Sequence, residues 1–224
     1  MEIKPIGYIR TDFKDKFGIP RQSGRVPGLT GRIVFEQEYR NSEALRGIEE
    51  FSHLWLIFGF SHAKRSRNSL TVRPPRLGGN TRVGVFASRA PFRPNSLGLS
   101  AVKLEGIEKT EAEGDALIVS GIDLLDNTPI FDIKPYLPYA DCKPDAKGSF
   151  GEEFKEYALE VIFPDELLGK LPKEKRIAAM ECLKDDPRPS YHDDLRTYSM
   201  SFAGYDIHFK VEQDILTVVA VDIL

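Results

Sequence analysis

Gly98-Leu-Ser-Ala-Val-Lys-Leu-Glu-Gly106, Ala116-Leu-Ile-Val-Ser-Gly-Ile122 and Pro129-Ile-Phe-Asp-Ile133 follow one another with only short connections between them. Each is short, apolar or alternating, and bounded by glycine, proline or asparagine. Runs of this kind at close intervals favour an all-β barrel or sandwich over alternating βαβ units, whose parallel strands need long crossovers. Outward from this block, residues 2–10, 82–88 and 157–163 read as further strands. Residues 11–31 are punctuated by Gly18, Pro20, Gly24, Pro27, Gly28 and Gly31 and read as a loop. Asn41 is placed to cap a short helix running to Ile48, with Glu43 in its first turn. Phe51 to Phe60 is too apolar for a surface strand and is expected to be buried. Residues 64–81 form a polar, Arg-rich loop containing Pro74-Pro75 and Gly78-Gly79.

The texture changes after Phe163. Pro164-Asp165 suits a helix start, and Leu167, Leu168, Leu171, Ile177, Met180 and Leu183 recur at roughly helical spacing through residue 185. Asp186-Pro-Arg-Pro189 ends that stretch, since proline cannot continue a helix. Period two then returns in Tyr198, Met200 and Phe202, and in Tyr205, Ile207, Phe209 and Val211, before an apolar run from Ile215 to Leu224. The expected organisation is a mainly β domain over residues 1–163 and a small α+β appendage over 164–224.

Charge is unevenly distributed. Between Phe51 and Leu104 stand nine basic residues and no acidic one: Lys64, Arg65, Arg67, Arg73, Arg76, Arg82, Arg89, Arg93 and Lys103. The rest of the chain holds 22 basic against 34 acidic residues, so a net charge of −3 conceals a basic block in an acidic protein. Seven of the nine are arginine, whose fork matches phosphate oxygens, and the block points to a polyanion-binding face. The two cysteines, Cys142 and Cys182, have no ligand-spaced neighbours, so free thiols and no metal site are expected. Residues 1–10 lack the apolar core of a signal peptide, and no apolar run approaches the length of a membrane span. A cytoplasmic protein is expected.

Three segments carry groups suited to ligand chemistry. Arg89-Ala-Pro-Phe-Arg-Pro-Asn-Ser-Leu-Gly-Leu-Ser100 holds two arginines and an asparagine on a loop stiffened by Pro91 and Pro94, which loses little entropy on ligand capture. Asp123-Leu-Leu-Asp126 offers carboxylates for ribose hydroxyls or for turn capping. Beyond it, Asp132 and Lys134 share a face of an extended run and either pair with each other or address a ligand. Phe17-Gly-Ile-Pro-Arg-Gln22 places an amide able to read a base edge beside a cation. His53 adjoins the buried run, whereas His62 opens the basic loop. There is no Walker loop, no Gly-x-Ser-x-Gly elbow and no Gly-x-Gly-x-x-Gly after a strand.

Taken together, Thr71-Val-Arg-Pro-Pro-Arg-Leu-Gly-Gly-Asn80, Arg89 to Ser100, and Asp123 to Asp141 resemble the signatures of the TrmO family, also called TsaA-like or YaeB-like. So do Pro20-Arg-Gln22, Phe51-Ser-His-Leu-Trp55 and Asp186-Pro-Arg-Pro-Ser-Tyr191. The resemblance covers nearly the whole chain in order. It implies a tRNA methyltransferase that uses S-adenosylmethionine to methylate N6 of threonylcarbamoyladenosine, the nucleoside 3′ of the anticodon at position 37. It also implies a β-barrel rather than a Rossmann core, and a homodimer with cofactor sites near the subunit interface. Carried over by position, the cofactor site draws on Pro20, Arg21, Gln22, Ser61, His62, Arg89, Leu99, Asp123, Leu124, Leu125 and Asp126. Asn127 stands where many relatives carry glycine.

Methyl transfer to nitrogen is an in-line displacement, and holding donor and acceptor in line supplies much of the catalysis. The acceptor nitrogen is a weak nucleophile, so a nearby base helps. Asp132 is the candidate base and Lys134 the candidate anion partner, with positioning alone as the alternative. Arg65, Arg67, Arg73, Arg76, Arg93 and Asn95 are expected on tRNA, and Phe92 or Tyr136 on a splayed base. The competing readings are a non-catalytic RNA-binding barrel and a small-molecule enzyme with an Arg-rich anion site.

Overall fold

The computed structural model describes residues 2–60, 70–74, 77, 80–154, 157–188 and 196–224. Six antiparallel strands close into a barrel: β1 (Gly7–Arg10), β2 (Thr30–Phe35), β3 (His53–Gly59), β6 (Leu97–Thr110), β7 (Gly114–Ser120) and β8 (Thr128–Pro135), in the order β1-β2-β7-β6-β3-β8. Pairing of β1 with both β2 and β8 completes the ring. A two-stranded ribbon, β4 (Thr71–Val72) with β5 (Val83–Gly84), stands beside it.

Alternation along the strands fills the barrel. Leu54, Leu56 and Phe58 of β3 point inward and are at most 4% exposed, beside Ile9, Ile33, Val102, Leu117, Val119 and Ile130. Trp55 and Ile57 face outward and are half-buried. Phe51 to Phe60 therefore reads as apolar on both faces because the outer wall is also partly covered. Gly98 is required where β6 crosses Phe58, since a Cβ there would lie 2.2 Å from the ring.

Several elements depart from the sequence expectations. Strand β2 emerges directly from the glycine- and proline-rich stretch, where punctuation obscures the apolar Ile33-Val34-Phe35. The strand expected at 82–88 ends at Gly84 and gives way to a 3₁₀ turn at Val85–Ala87. The turn at Ser42–Leu45 is also 3₁₀, although Asn41 does cap it by accepting from the Glu43 amide at 3.0 Å. The single helix expected over 165–185 is divided into α2 (Asp165–Leu168), a 3₁₀ turn at Lys173–Lys175 and α3 (Arg176–Lys184), around Gly169 and Pro172. Ala178, Ala179, Cys182 and Leu183 are the buried residues of α3, while Ile177 is 69% exposed. A further short helix, α1 (Pro138–Asp141), follows β8.

Strands β10 (Tyr198–Phe202), β11 (Tyr205–Glu212), β12 (Ile215–Ile223) and β9 (Glu160–Ile162) form a second sheet in the order β10-β11-β12-β9. β9 runs parallel to β12, so a strand lying before the expected division at 163/164 hydrogen-bonds into the C-terminal sheet. The loop of residues 11–29 joins this unit to the barrel. Phe13 lies 5.4 Å from Phe202, and Phe17 stacks against both Tyr198 and Phe209 at 6.3 Å from each. Phe13, Val26 and Leu29 are no more than 1% exposed, so one hydrophobic core runs through the joint. A stretch that looks like open loop in fact buries Phe13, Gly18, Pro20, Val26 and Leu29.

Candidate cofactor site

Antiparallel closure brings the starts and finishes of three connections, those from β1 to β2, from β3 to β6 and from β7 to β8, to the same end of the barrel. Among the described residues expected to hold the cofactor, all but Leu99 lie on them. Ser100, 2% exposed near the start of β6, donates its hydroxyl to Asp123 Oδ1 at 2.7 Å. Burial pushes the Asp123 carboxyl above its usual range, against the opposing pull of the Ser100 hydroxyl, its own and the Ser23 backbone amides and the Arg89 charge. A half-buried carboxylate in that condition gains from a cationic or hydroxyl-bearing ligand. Arg89 Nη1 donates to Gln22 Oε1 at 2.5 Å, and Gln22 Nε2 donates to the Arg21 carbonyl at 2.6 Å. Arg89, Gln22 and Asp123 thus converge from three separate loops.

The other expected cofactor residues are placed differently. Pro20 is buried and shapes the loop. Arg21 turns away, and its Nη2 donates to the carbonyl oxygens of Asp186 and Arg188 at 2.8 and 3.0 Å. Leu124 is 2% exposed in the core, and its carbonyl accepts from Thr11 Oγ1 at 3.1 Å. Leu125 packs against the same core. Asp126 binds the Thr11 amide at 2.9 Å and Lys14 Nζ at 2.6 Å. Burial opposes its ionisation, but these two partners outweigh burial and lower its pKa. Asn127 has φ 61°, the left-handed backbone that glycine adopts without cost, and accepts from Arg10 at 2.8 Å. Ser61 and His62 lie outside the described residues.

Leu99, 54% exposed, faces the outer wall. Its partner across β3 is Ile57, whose partner on β8 is Asp132, so the three share one row of that wall. Adjacent strands lie about 4.8 Å apart, which puts Asp132 roughly 10 Å from Leu99. Asp132 accepts from the Ile133 amide at 2.9 Å and pairs with Lys134 at 3.1 Å, with both side chains about half or more exposed. Tyr136 lies further along the wall, 5.4 Å from Trp55 and 6.2 Å from His53.

Among the residues expected on nucleic acid, Arg73, Asn95 and Phe92 are exposed, Phe92 by 47%. Arg93 is committed to structure. Its Nη1 donates to the carbonyls of Val85 and Ser88 at 3.1 and 2.6 Å and braces the turn between them. That turn presents Phe86, 78% exposed, which the sequence reading passed over because it sat inside an expected strand. Ser23 and Ser100 were also missed, since isolated serines carry no pattern. Arg65, Arg67 and Arg76 lie outside the described residues. Among the described residues, no group of three or more His, Cys, Asp or Glu side chains is placed to hold a metal ion. No described helix is long and apolar enough to cross a membrane.

The donor set fits S-adenosylmethionine. Arg89 suits its carboxylate, Asp123 its ammonium, sulfonium or ribose hydroxyls, and the Gln22 amide a base edge. Residues 8–142 match the tRNA-methyltransferase O N-terminal domain and residues 156–223 the TrmO C-terminal domain. A tRNA (adenine(37)-N6)-methyltransferase of Escherichia coli is 38% identical over 94% of this chain and 93% of its own. One from Eikenella corrodens is 44% identical over 76% of this chain and 97% of its own. A Pseudomonas aeruginosa protein named as an S-adenosylmethionine-dependent methyltransferase is 42% identical over 92% of this chain and 91% of its own. The crystal structure of TrmO from P. aeruginosa superposes with a TM-score of 0.80 at 36% identity, covering 100% of this chain and 97% of that one.

Proposed function

The chain belongs to the tRNA-methyltransferase O family, and from that premise we propose that it methylates N6 of threonylcarbamoyladenosine at tRNA position 37. It is an S-adenosylmethionine-dependent tRNA methyltransferase, as its relatives' activity and its own two matched domains require. The observation that carries the assignment to this barrel end is the convergence of Gln22, Arg89 and Asp123 from three loops.

Bound S-adenosylmethionine supplies an activated methyl group, so the protein's task is alignment, charge placement and proton removal. Arg89 and Gln22 restrain each other before any ligand arrives. Asp123, held by Ser100, offers negative charge where burial strengthens it. Asp132 sits on the outer wall in the same row as Leu99, across Ile57 from it, and is the candidate acceptor for the N6 proton, while Lys134 is the candidate partner for an anionic group on the substrate. Arg73 and the basic loop before it meet tRNA phosphates.

The position of Asp132 bears on assembly. The wall around it carries exposed Leu99 and half-buried Trp55 and Ile57, which supports a homodimer in which this wall is covered. Its tRNA substrate supports a cytoplasmic location. The chain divides into a barrel unit and a C-terminal unit of residues 164–224, with β9 joined to the latter by hydrogen bonds.

Mass spectrometry of nucleosides from tRNA incubated with the protein and S-adenosylmethionine tests the reading. A gain of 14 mass units, about one methyl replacing hydrogen, is expected on threonylcarbamoyladenosine, and none on tRNA lacking that modification. Asp132→Asn in the same assay under single-turnover conditions is expected to lose about 10²–10⁴-fold in rate with cofactor binding retained. Methylation of unmodified adenosine 37 at equal rate would reject the substrate assignment, and a near-normal Asp132→Asn rate would leave positioning alone as the mechanism.

A further inference from the structure

The end of α3 buries a set of charges that the reaction does not use. Asp185, Asp186 and Arg188 are 7%, 5% and 8% exposed. Arg188 forks onto Asp186, Nε to Oδ1 at 2.9 Å and Nη2 to Oδ2 at 3.1 Å, and Tyr157 donates its hydroxyl to Oδ2 at 3.1 Å. Arg25 from the joining loop reaches Asp185 Oδ1 at 2.5 Å. A buried ion pair of this kind adds little net stability over apolar packing, but it holds its members in one geometry.

The rigid segment so formed grips the loop that leads to the cofactor. The Arg21 amide approaches Asp185 Oδ2 at 3.4 Å, and its guanidinium holds the carbonyls of Asp186 and Arg188. The Arg21 carbonyl then accepts from Gln22 Nε2 at 2.6 Å, and Gln22 Oε1 accepts from Arg89 at 2.5 Å. An unbroken line of hydrogen bonds runs from the C-terminal unit to the guanidinium that faces Asp123. Both polar atoms of the Gln22 amide are engaged, so its rotamer is set before ligand arrives, which lowers the entropy lost on binding.

We propose that Arg21 is a positioning residue through which the C-terminal unit sets the cofactor site. Its guanidinium serves the carbonyls of residues 186 and 188, and its effect on S-adenosylmethionine passes through Gln22 and Arg89. The inference rests on the reading that the cofactor lies against Gln22 and Arg89.

A mutant cycle tests it on the full-length protein, with S-adenosylmethionine affinity measured by calorimetry well below each variant's melting temperature. Gln22→Ala and Arg21→Met are each expected to weaken binding about tenfold, and the double variant to bind no more weakly than Gln22→Ala alone, because residues acting in series are not additive. Affinity for tRNA is expected to change less than affinity for the cofactor. Additive losses, about a hundredfold in the double variant, would show that Arg21 acts independently of Gln22 and would overturn the proposal. Unchanged affinity in Gln22→Ala would instead reject the site reading, and the positioning role with it. Should Arg21→Met fail to fold, Arg21→Lys takes its place in the same cycle, since lysine keeps the charge but cannot hold two carbonyls in the same fork geometry.

Discussion

Asp123 shows how a single residue trades stability for binding. Burial raises its pKa, so the folded state disfavours the ionised form. The penalty is absent below the unfolded pKa, grows as pH rises from there to the folded value, and is complete above it. Asp123→Asn keeps an acceptor for Ser100 and removes the charge. The variant is expected to melt above the parent at pH 7, with the difference closing on acidification below the unfolded carboxylate's pKa of about 3.9, where the parent becomes protonated in both states. The same change should weaken S-adenosylmethionine binding by about 10–100-fold, the usual cost of losing a charged hydrogen-bond partner. Thermal melts across pH beside calorimetry check both parts, and a variant less stable than the parent at pH 7 would contradict the burial argument. Arginines divide in the same residue-by-residue way. Arg89 faces the site, whereas Arg21 and Arg93 bind carbonyl oxygens, and nothing in their local sequence separates them.

At the level of elements, β3 and β6 set the geometry of the site. β6 leaves the proline-stiffened loop at Leu97 and carries Ser100 three residues on, with Gly98 between them seated on the Phe58 ring. Gly98→Ala is expected to cost about 1–3 kcal/mol from overpacking. It should also weaken cofactor binding, because a displaced β6 moves Ser100 away from Asp123. Urea denaturation with an unchanged midpoint would show that the barrel absorbs the methyl group. Elements whose stability is local were legible: the apolar runs of β6, β7 and β8, and the Asn41 cap. Elements decided by partners were not. Gly169 and Pro172 divide a helix that apolar spacing alone runs together, and β2 is a strand because β1 and β7 lie on either side of it.

For the whole molecule, the basic block against an acidic remainder is expected to make tRNA binding electrostatic. A plot of log affinity against log salt is expected to have a clear negative slope. Arg73→Ala with Arg82→Ala, both exposed on or beside the β4–β5 ribbon, should make it shallower by roughly one unit for each phosphate left without its arginine. An affinity indifferent to salt would reject a phosphate-binding face. The same ribbon presents Phe86 on a turn braced by Arg93, next to the exposed arginines.

Sequence alone determined the β-rich class, the buried β3 run, the uneven distribution of charge and the family, because these depend on local periodicity, on composition and on long ordered strings of residues. Tertiary structure alone decided which charged groups are committed to the fold. Arg21 finds its carbonyl partners 165 and 167 residues away, and β9 finds its strand partner in β12. A side chain's role follows from what it touches, and contacts at that separation are created only when the joining loop is buried between the barrel and the C-terminal sheet.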